Sequence, residues 1–147
     1  HYETSAFALP GHQCRHNLNY WTFGDYLGIG PGAHSKLTNH EGARRQMRYK
    51  SPKAYLTAAT TGNFIQTDEP ILATDLPGEF MMNALRLNEG FGIELFDRYT
   101  GLPWLIVSRQ VDAAIKDGFL EWAEPNQHLR PTLQGRRFLN VLLQRFL

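Results

Sequence analysis

Apolar residues recur at helical spacing through the second half of the chain and only in short runs through the first. Residues 77–88 put Phe80, Ala84 and Leu87 on one stripe with Met81 and Leu85 beside it, which predicts a helix with a core-facing side. Residues 93–100 read as a short helix closed by Gly101. Residues 104–117 have the cleanest period, through Trp104, Val107, Ser108, Val111 and Ile115, and Gly118 suits the exit. Two short strands follow, near 119–123 and 128–131, joined by Pro125-Asn126. A final helix from about Leu133 is expected to bury Phe138, Leu139, Leu142 and Phe146.

The first half reads differently. Residues 2–8 look like a strand broken by Pro10-Gly11. The segment from His16 to Phe23 fits either a short helix or an extended run. A helix is favoured because a second apolar strand, Tyr26 to Gly30, follows; strand, crossover and strand would make a parallel βαβ unit. Residues 43–50 form a candidate third strand with Met47 and Tyr49 on one face. Ser51-Pro52 starts a helix, with Ser at the N-cap and Pro in the first turn, running to about Thr61 with Gly62 at its exit. Residues 62–74 read as a linker. The expected fold class is therefore α+β: an α/β piece over 1–62, then a helical module over 63–147 whose hairpin and last helix resemble a winged-helix arrangement.

Size and composition fit this. The 147 residues suffice for one ordinary domain or two small ones, and 42% hydrophobic against 20% charged residues specify a packed fold. No apolar run reaches the roughly 18–20 residues of a membrane span, and no signal peptide is visible. The chain opens on His1, directly into the first strand pattern, which suggests a fragment of a longer protein. The lone cysteine, Cys14, excludes an internal disulfide or a CxxC zinc site, fits a reducing cytoplasm, and cannot by itself hold an iron–sulfur cluster. Net charge is +1, and neither half has the basic excess that phosphate-backbone binding usually shows. A winged-helix module would present residues 104–117 to DNA, but Arg109, Gln110 and Lys116 there are offset by Asp112 and Asp117, and Arg136 and Arg137 read as a solvated face. No nucleic-acid partner is expected.

Four motifs carry a family resemblance. Ser5-Ala6-Phe7-Ala8-Leu9-Pro10-Gly11, then Cys14-Arg15-His16-Asn17-Leu18-Asn19-Tyr20-Trp21, then Tyr26-Leu27-Gly28-Ile29-Gly30-Pro31-Gly32-Ala33-His34-Ser35 resemble the end of the radical-SAM barrel of the oxygen-independent coproporphyrinogen III oxidase/HemW family. Glu79-Phe80-Met81-Met82-Asn83-Ala84-Leu85-Arg86-Leu87 resembles the signature of its C-terminal domain. The resemblance implies a cytoplasmic heme-pathway protein with S-adenosyl-L-methionine and a 4Fe-4S cluster in the parent. The cluster-binding CxxxCxxC motif is absent here, so this chain alone is expected to be inactive in radical chemistry. One branch of the family decarboxylates propionates of coproporphyrinogen III; the other binds heme and delivers it to heme proteins. The HNxxYW pattern marks the heme-binding branch and is complete as His16, Asn17, Tyr20 and Trp21. The resemblance makes His16 the heme-iron contact, with heme-accepting proteins as partners.

The residues themselves leave alternatives. Imidazole is the usual axial donor to heme iron, and His16 and Tyr20, four apart, share a face in a helix or a strand. Tyr20 suits porphyrin stacking or a propionate hydrogen bond, and Arg15 suits a propionate. Histidine–aromatic clusters are equally at home in cores, so on residue types alone a structural role is the commoner one. The glycines of Gly28-x-Gly30-x-Gly32 allow close backbone approach to a ligand or simply a tight turn; the resemblance puts Gly30, Ala33 and His34 near S-adenosyl-L-methionine. Cys14 is expected to be a buried, inert thiol, and Met81-Met82 to be core. Parallel strands too few to close a barrel leave bare edges, so self-association of the chain is expected.

Overall fold

The computed structural model describes residues 1–124 and 127–147, and the turn expected at Pro125-Asn126 lies outside them. It is a mixed α+β chain in two compact units, one made of residues 1–23 and 73–147, the other of residues 24–72. The expected division at residue 62 differs from these units. Residues 1–23 group with the C-terminal part because backbone hydrogen bonds tie them there: Thr4 N donates to the Arg86 carbonyl at 3.1 Å and Asn88 N to that of Tyr2 at 3.0 Å.

The first unit opens without the strand expected over 2–8. Glu3 makes isolated antiparallel bridges to Ala6 and Leu87, and its buried carboxylate accepts hydrogen bonds from Ser5 N and Ser5 Oγ. That local turn competes with a ladder. Helix α1 spans Arg15–Trp21, as favoured from sequence. The C-terminal part adds α3 (Leu76–Ala84), the two-residue strand β4 (Phe91–Gly92), α4 (Glu94–Thr100), α5 (Leu105–Lys116), β5 (Leu120–Glu124), β6 (His128–Pro131), α6 (Leu133–Arg137) and α7 (Leu139–Leu143). The strands form an antiparallel sheet in the order β4-β6-β5. Phe80 is fully buried at the centre, with edge-on contacts to Phe23, Phe91 and Phe96 at ring-centre distances of 5.9, 5.2 and 5.3 Å. Trp104 extends the cluster from Phe96 to Trp122. Edge-on geometry is the arrangement favoured by aromatic quadrupoles.

Two expectations fail here. The last helix is broken at Phe138, whose φ of −116° and ψ of 40° leave the helical region, so Phe138 is exposed while Leu142 is buried. Met81 is core as expected, but Met82 is partly exposed.

The second unit contains β1 (His34–Asn39), β2 (Gly42–Arg48), α2 (Pro52–Ala59) and β3 (Ile65–Pro70), with the sheet ordered β1-β2-β3 and antiparallel throughout. The parallel βαβ unit expected from sequence is not formed. Tyr26 instead bridges Lys36 in antiparallel sense, Gly28 N donates to Ser35 Oγ at 3.0 Å, and Arg48 Nε donates to the Gly28 carbonyl at 2.7 Å. The 26–30 run folds back on the strand that follows it, which a Cβ at Gly28 would block by striking the His34 carbonyl. The expected linker over 62–74 contains β3, whose Ile65 and Thr67 alternate with exposed polar residues. α2 starts as expected, with Ser51 Oγ accepting from Ala54 N. No large apolar side chain is buried among the described residues of this unit; the buried side chains are the small Ala43 and Ala58 together with Ser35 and Lys36.

Candidate functional site

α1 has seven residues, too short to be stable alone. Tertiary contacts hold it, and it packs against α3. Its exit is made by Phe23, a non-glycine residue at φ 63°. The left-handed backbone costs roughly 1–2 kcal/mol, which burial of the Phe23 ring against Phe80 offsets.

At about 100° per residue, His16, Tyr20, Asn17 and Trp21 fall in that order along one arc of α1, roughly 140° wide. Arg15 lies outside it, on the shoulder beside His16. The arc runs from exposed to packed. His16 is exposed and makes no hydrogen bond among the described residues; its ring meets the half-buried Tyr20 ring edge-on at 4.8 Å. Asn17 Nδ2 donates to the Tyr2 hydroxyl at 3.2 Å. Trp21 closes the arc: the Arg86 guanidinium lies 5.0 Å from its ring centre, and its indole Nε1 is enclosed without a hydrogen-bond partner among the described residues. Cys14, at the N-cap, is exposed rather than buried as expected.

This arrangement suits a flat ligand bearing a metal and carboxylates. A free imidazole is presented to solvent, an aromatic edge stands beside it, and cations, Arg15 and Arg86, flank the arc. An unpaired buried indole N–H costs roughly 1–3 kcal/mol, so its presence in a native fold calls for an explanation. The residues therefore fit heme. They do not fit an iron–sulfur cluster: there is one cysteine, and no group of three metal-ligating side chains is assembled among the described residues.

Gly30, Ala33 and His34 lie in the other unit. Gly30 has φ 102°, its carbonyl accepts from Ala33 N at 3.2 Å, and the space a Cβ would take there is open. Ala33 is half-buried and His34, paired with Met47, is exposed. Nearby, Asp25 accepts from Lys36 Nζ at 2.9 Å and from Thr38 N and Oγ1 at 2.8 and 2.7 Å. Burial pushes the Asp25 carboxyl up, but these hydrogen bonds and the Lys36 charge together hold it below its usual range. Sequence reasoning missed Arg86 and Tyr2 as neighbours of the arc. Both lie in stretches the sequence already marks, but nothing in the spacing shows that they meet α1.

Residues 71–138 match the HemN C-terminal domain family. Along its whole length the chain is similar to proteins of the oxygen-independent coproporphyrinogen III oxidase-like/HemW family. It is 44% identical to the heme chaperone HemW of Escherichia coli K12 and 44% identical to that of Haemophilus influenzae, in each case across 99% of this chain and 37% of the relative. It is 33% identical, over the same shares, to a mitochondrial radical S-adenosyl methionine domain-containing protein 1 of Dictyostelium discoideum. The chain thus spans little more than a third of the length of the curated relatives it matches. Among solved structures it resembles the E. coli coproporphyrinogen III oxidase HemN, a radical-SAM enzyme, with a TM-score of 0.55 and 17% identity over 84% of this chain and 28% of that one; this likeness shows the fold alone.

Proposed function

We propose that the protein to which this chain belongs binds heme and passes it to heme-accepting proteins, and that His16 is the residue that meets the iron. The observation that carries the reading is the α1 arc, with an exposed imidazole free of hydrogen bonds at one end and aromatic walls beside it. Heme bound there would supply an iron that accepts an imidazole nitrogen. His16 donates that nitrogen, Tyr20 and Trp21 wall the ring, Asn17 braces the helix through Tyr2, and Arg15 offers a charge to a propionate. A free, exposed ligand also suits a carrier that must release its cargo. The HemW relatives, named heme chaperones, support the same reading.

Within the parent we place the N-terminal part of the chain at the end of a radical-SAM barrel, with Gly30, Ala33 and His34 near S-adenosyl-L-methionine, and the C-terminal part in a winged-helix-like domain, with the boundary after the 24–72 unit rather than at residue 62. The open, positive-φ backbone at Gly30 and the succession of helices, hairpin and terminal helices support this. A 4Fe-4S cluster would be held by cysteines that this chain does not carry. We also propose a cytoplasmic location, in keeping with the single thiol. Among the described residues, no helix is long and apolar enough to cross a membrane. Self-association of the chain, with Leu27 and Ile29 exposed on the 26–30 segment, is checked by light scattering.

Titration with heme, followed by the Soret band, tests the proposal: His16→Ala is expected to abolish or strongly weaken the change. An unaltered titration removes the assignment. Anaerobic decarboxylation of coproporphyrinogen III propionates by the full-length protein would favour the oxidase reading that the HemN likeness brings to mind.

A further inference from the structure

We infer that Arg86 is a carboxylate-binding residue of the same site and takes a heme propionate at the Trp21 end of the α1 arc; this rests on the heme-binding reading of α1. Arg86 follows α3, and its guanidinium is held over the Trp21 ring at 5.0 Å. Its Nε donates to the Met82 carbonyl at 3.3 Å. Its two terminal nitrogens make no hydrogen bond or ion pair among the described residues. The guanidinium groups of Arg44, Arg130 and Arg145 differ in being neutralised by Asp68, Glu121 and Asp117 at 2.7–2.9 Å. Arg86 is thus oriented by stacking and by a backbone carbonyl, while its fork of donors stays open to an incoming anion.

That combination suits recognition of a carboxylate, because little side-chain freedom is lost on binding and the planar fork matches two oxygens. The position also fits. Five residues of helix separate His16 from Trp21, about 7.5 Å along the axis, comparable to the reach from a heme iron to its propionates. Arg86 would then read the carboxylates of the tetrapyrrole, as distinct from its iron.

The test is a Soret titration of the full chain with heme and, in the same detergent, with heme dimethyl ester, whose propionates carry no charge. Wild type is expected to prefer heme by about tenfold, the usual worth of a charge-assisted hydrogen bond. Arg86→Gln should lose most of that preference, keeping only what Arg15 contributes, while still binding the diester, and Arg86→Lys should keep more of it. A wild-type protein without the preference, or an Arg86→Gln loss equal for both ligands, overturns the inference and leaves Arg86 a prop for Trp21. The underlying reading fails separately. A silent His16→Ala with a heme-selective Arg86→Gln loss removes the iron ligand and keeps the carboxylate contact; the opposite result removes the contact and keeps the ligand.

Discussion

The two compact units are held together by different physics. In residues 1–23 and 73–147, Phe80 lies at the centre of a continuous aromatic cluster, and α1 is attached to that core. In residues 24–72 the buried side chains are small or polar, and order comes from strand ladders, the Asp25–Lys36–Thr38 hydrogen bonds and Arg48 on the Gly28 carbonyl. Hydrophobic burial is non-directional and tolerates acid and salt, whereas a polar scaffold depends on the charge state of its members. The candidate iron ligand therefore sits on the sturdier unit, and the backbone proposed to lie near S-adenosyl-L-methionine sits on the one more sensitive to conditions.

The comparison is broken most forcefully at Phe80. Phe80→Ala removes the hub and should cost the first unit about 3–5 kcal/mol, read as a lower denaturant midpoint of tryptophan fluorescence; all three tryptophans lie in that unit. Asp25→Ala is next. It leaves the buried Lys36 ammonium without its carboxylate; breaking a fully buried pair costs more, but Asp25 is 40% exposed, so a loss of about 1–2 kcal/mol is expected, confined to the second unit. Hydrogen exchange of the Thr38 amide would show it. Acid should act on the same group. The folded carboxyl of Asp25 titrates below its ordinary 3.8, so its contribution is complete above that value and is lost as pH falls through the lower, folded value. The second unit should loosen in that acid range, and the Asp25→Asn variant should lack this step. The smallest effect belongs to the exposed Arg44–Asp68 pair: Asp68→Asn should leave the unfolding midpoint unchanged at physiological salt.

The same contrast governs what the sequence makes legible. α3, α4 and α5 follow from helical spacing closed by Gly101 and Gly118, because their burial is strong enough to imprint a period. The second unit imprints little. β3 reads as a linker since only Ile65 and Thr67 are half-buried among polar neighbours, and the 26–30 run reads as a parallel strand although tertiary hydrogen bonds fold it back on β1. Phe138 is misread because its apolar character says nothing of the backbone break it occupies. At the site, the His16–Tyr20 pairing is visible in a spacing of four, and the structure brings the rings together. Arg86 is not visible as a partner of Trp21, since only the packing of α1 on α3 brings them together.

The central claim is that the exposed imidazole of His16 is the iron ligand. The most direct measurement is heme binding to His16→Ala with and without added imidazole. The account predicts a weakened, altered Soret band in the variant and recovery of the wild-type band when imidazole fills the vacated position. A variant whose band and affinity match wild type, with imidazole changing nothing, contradicts it.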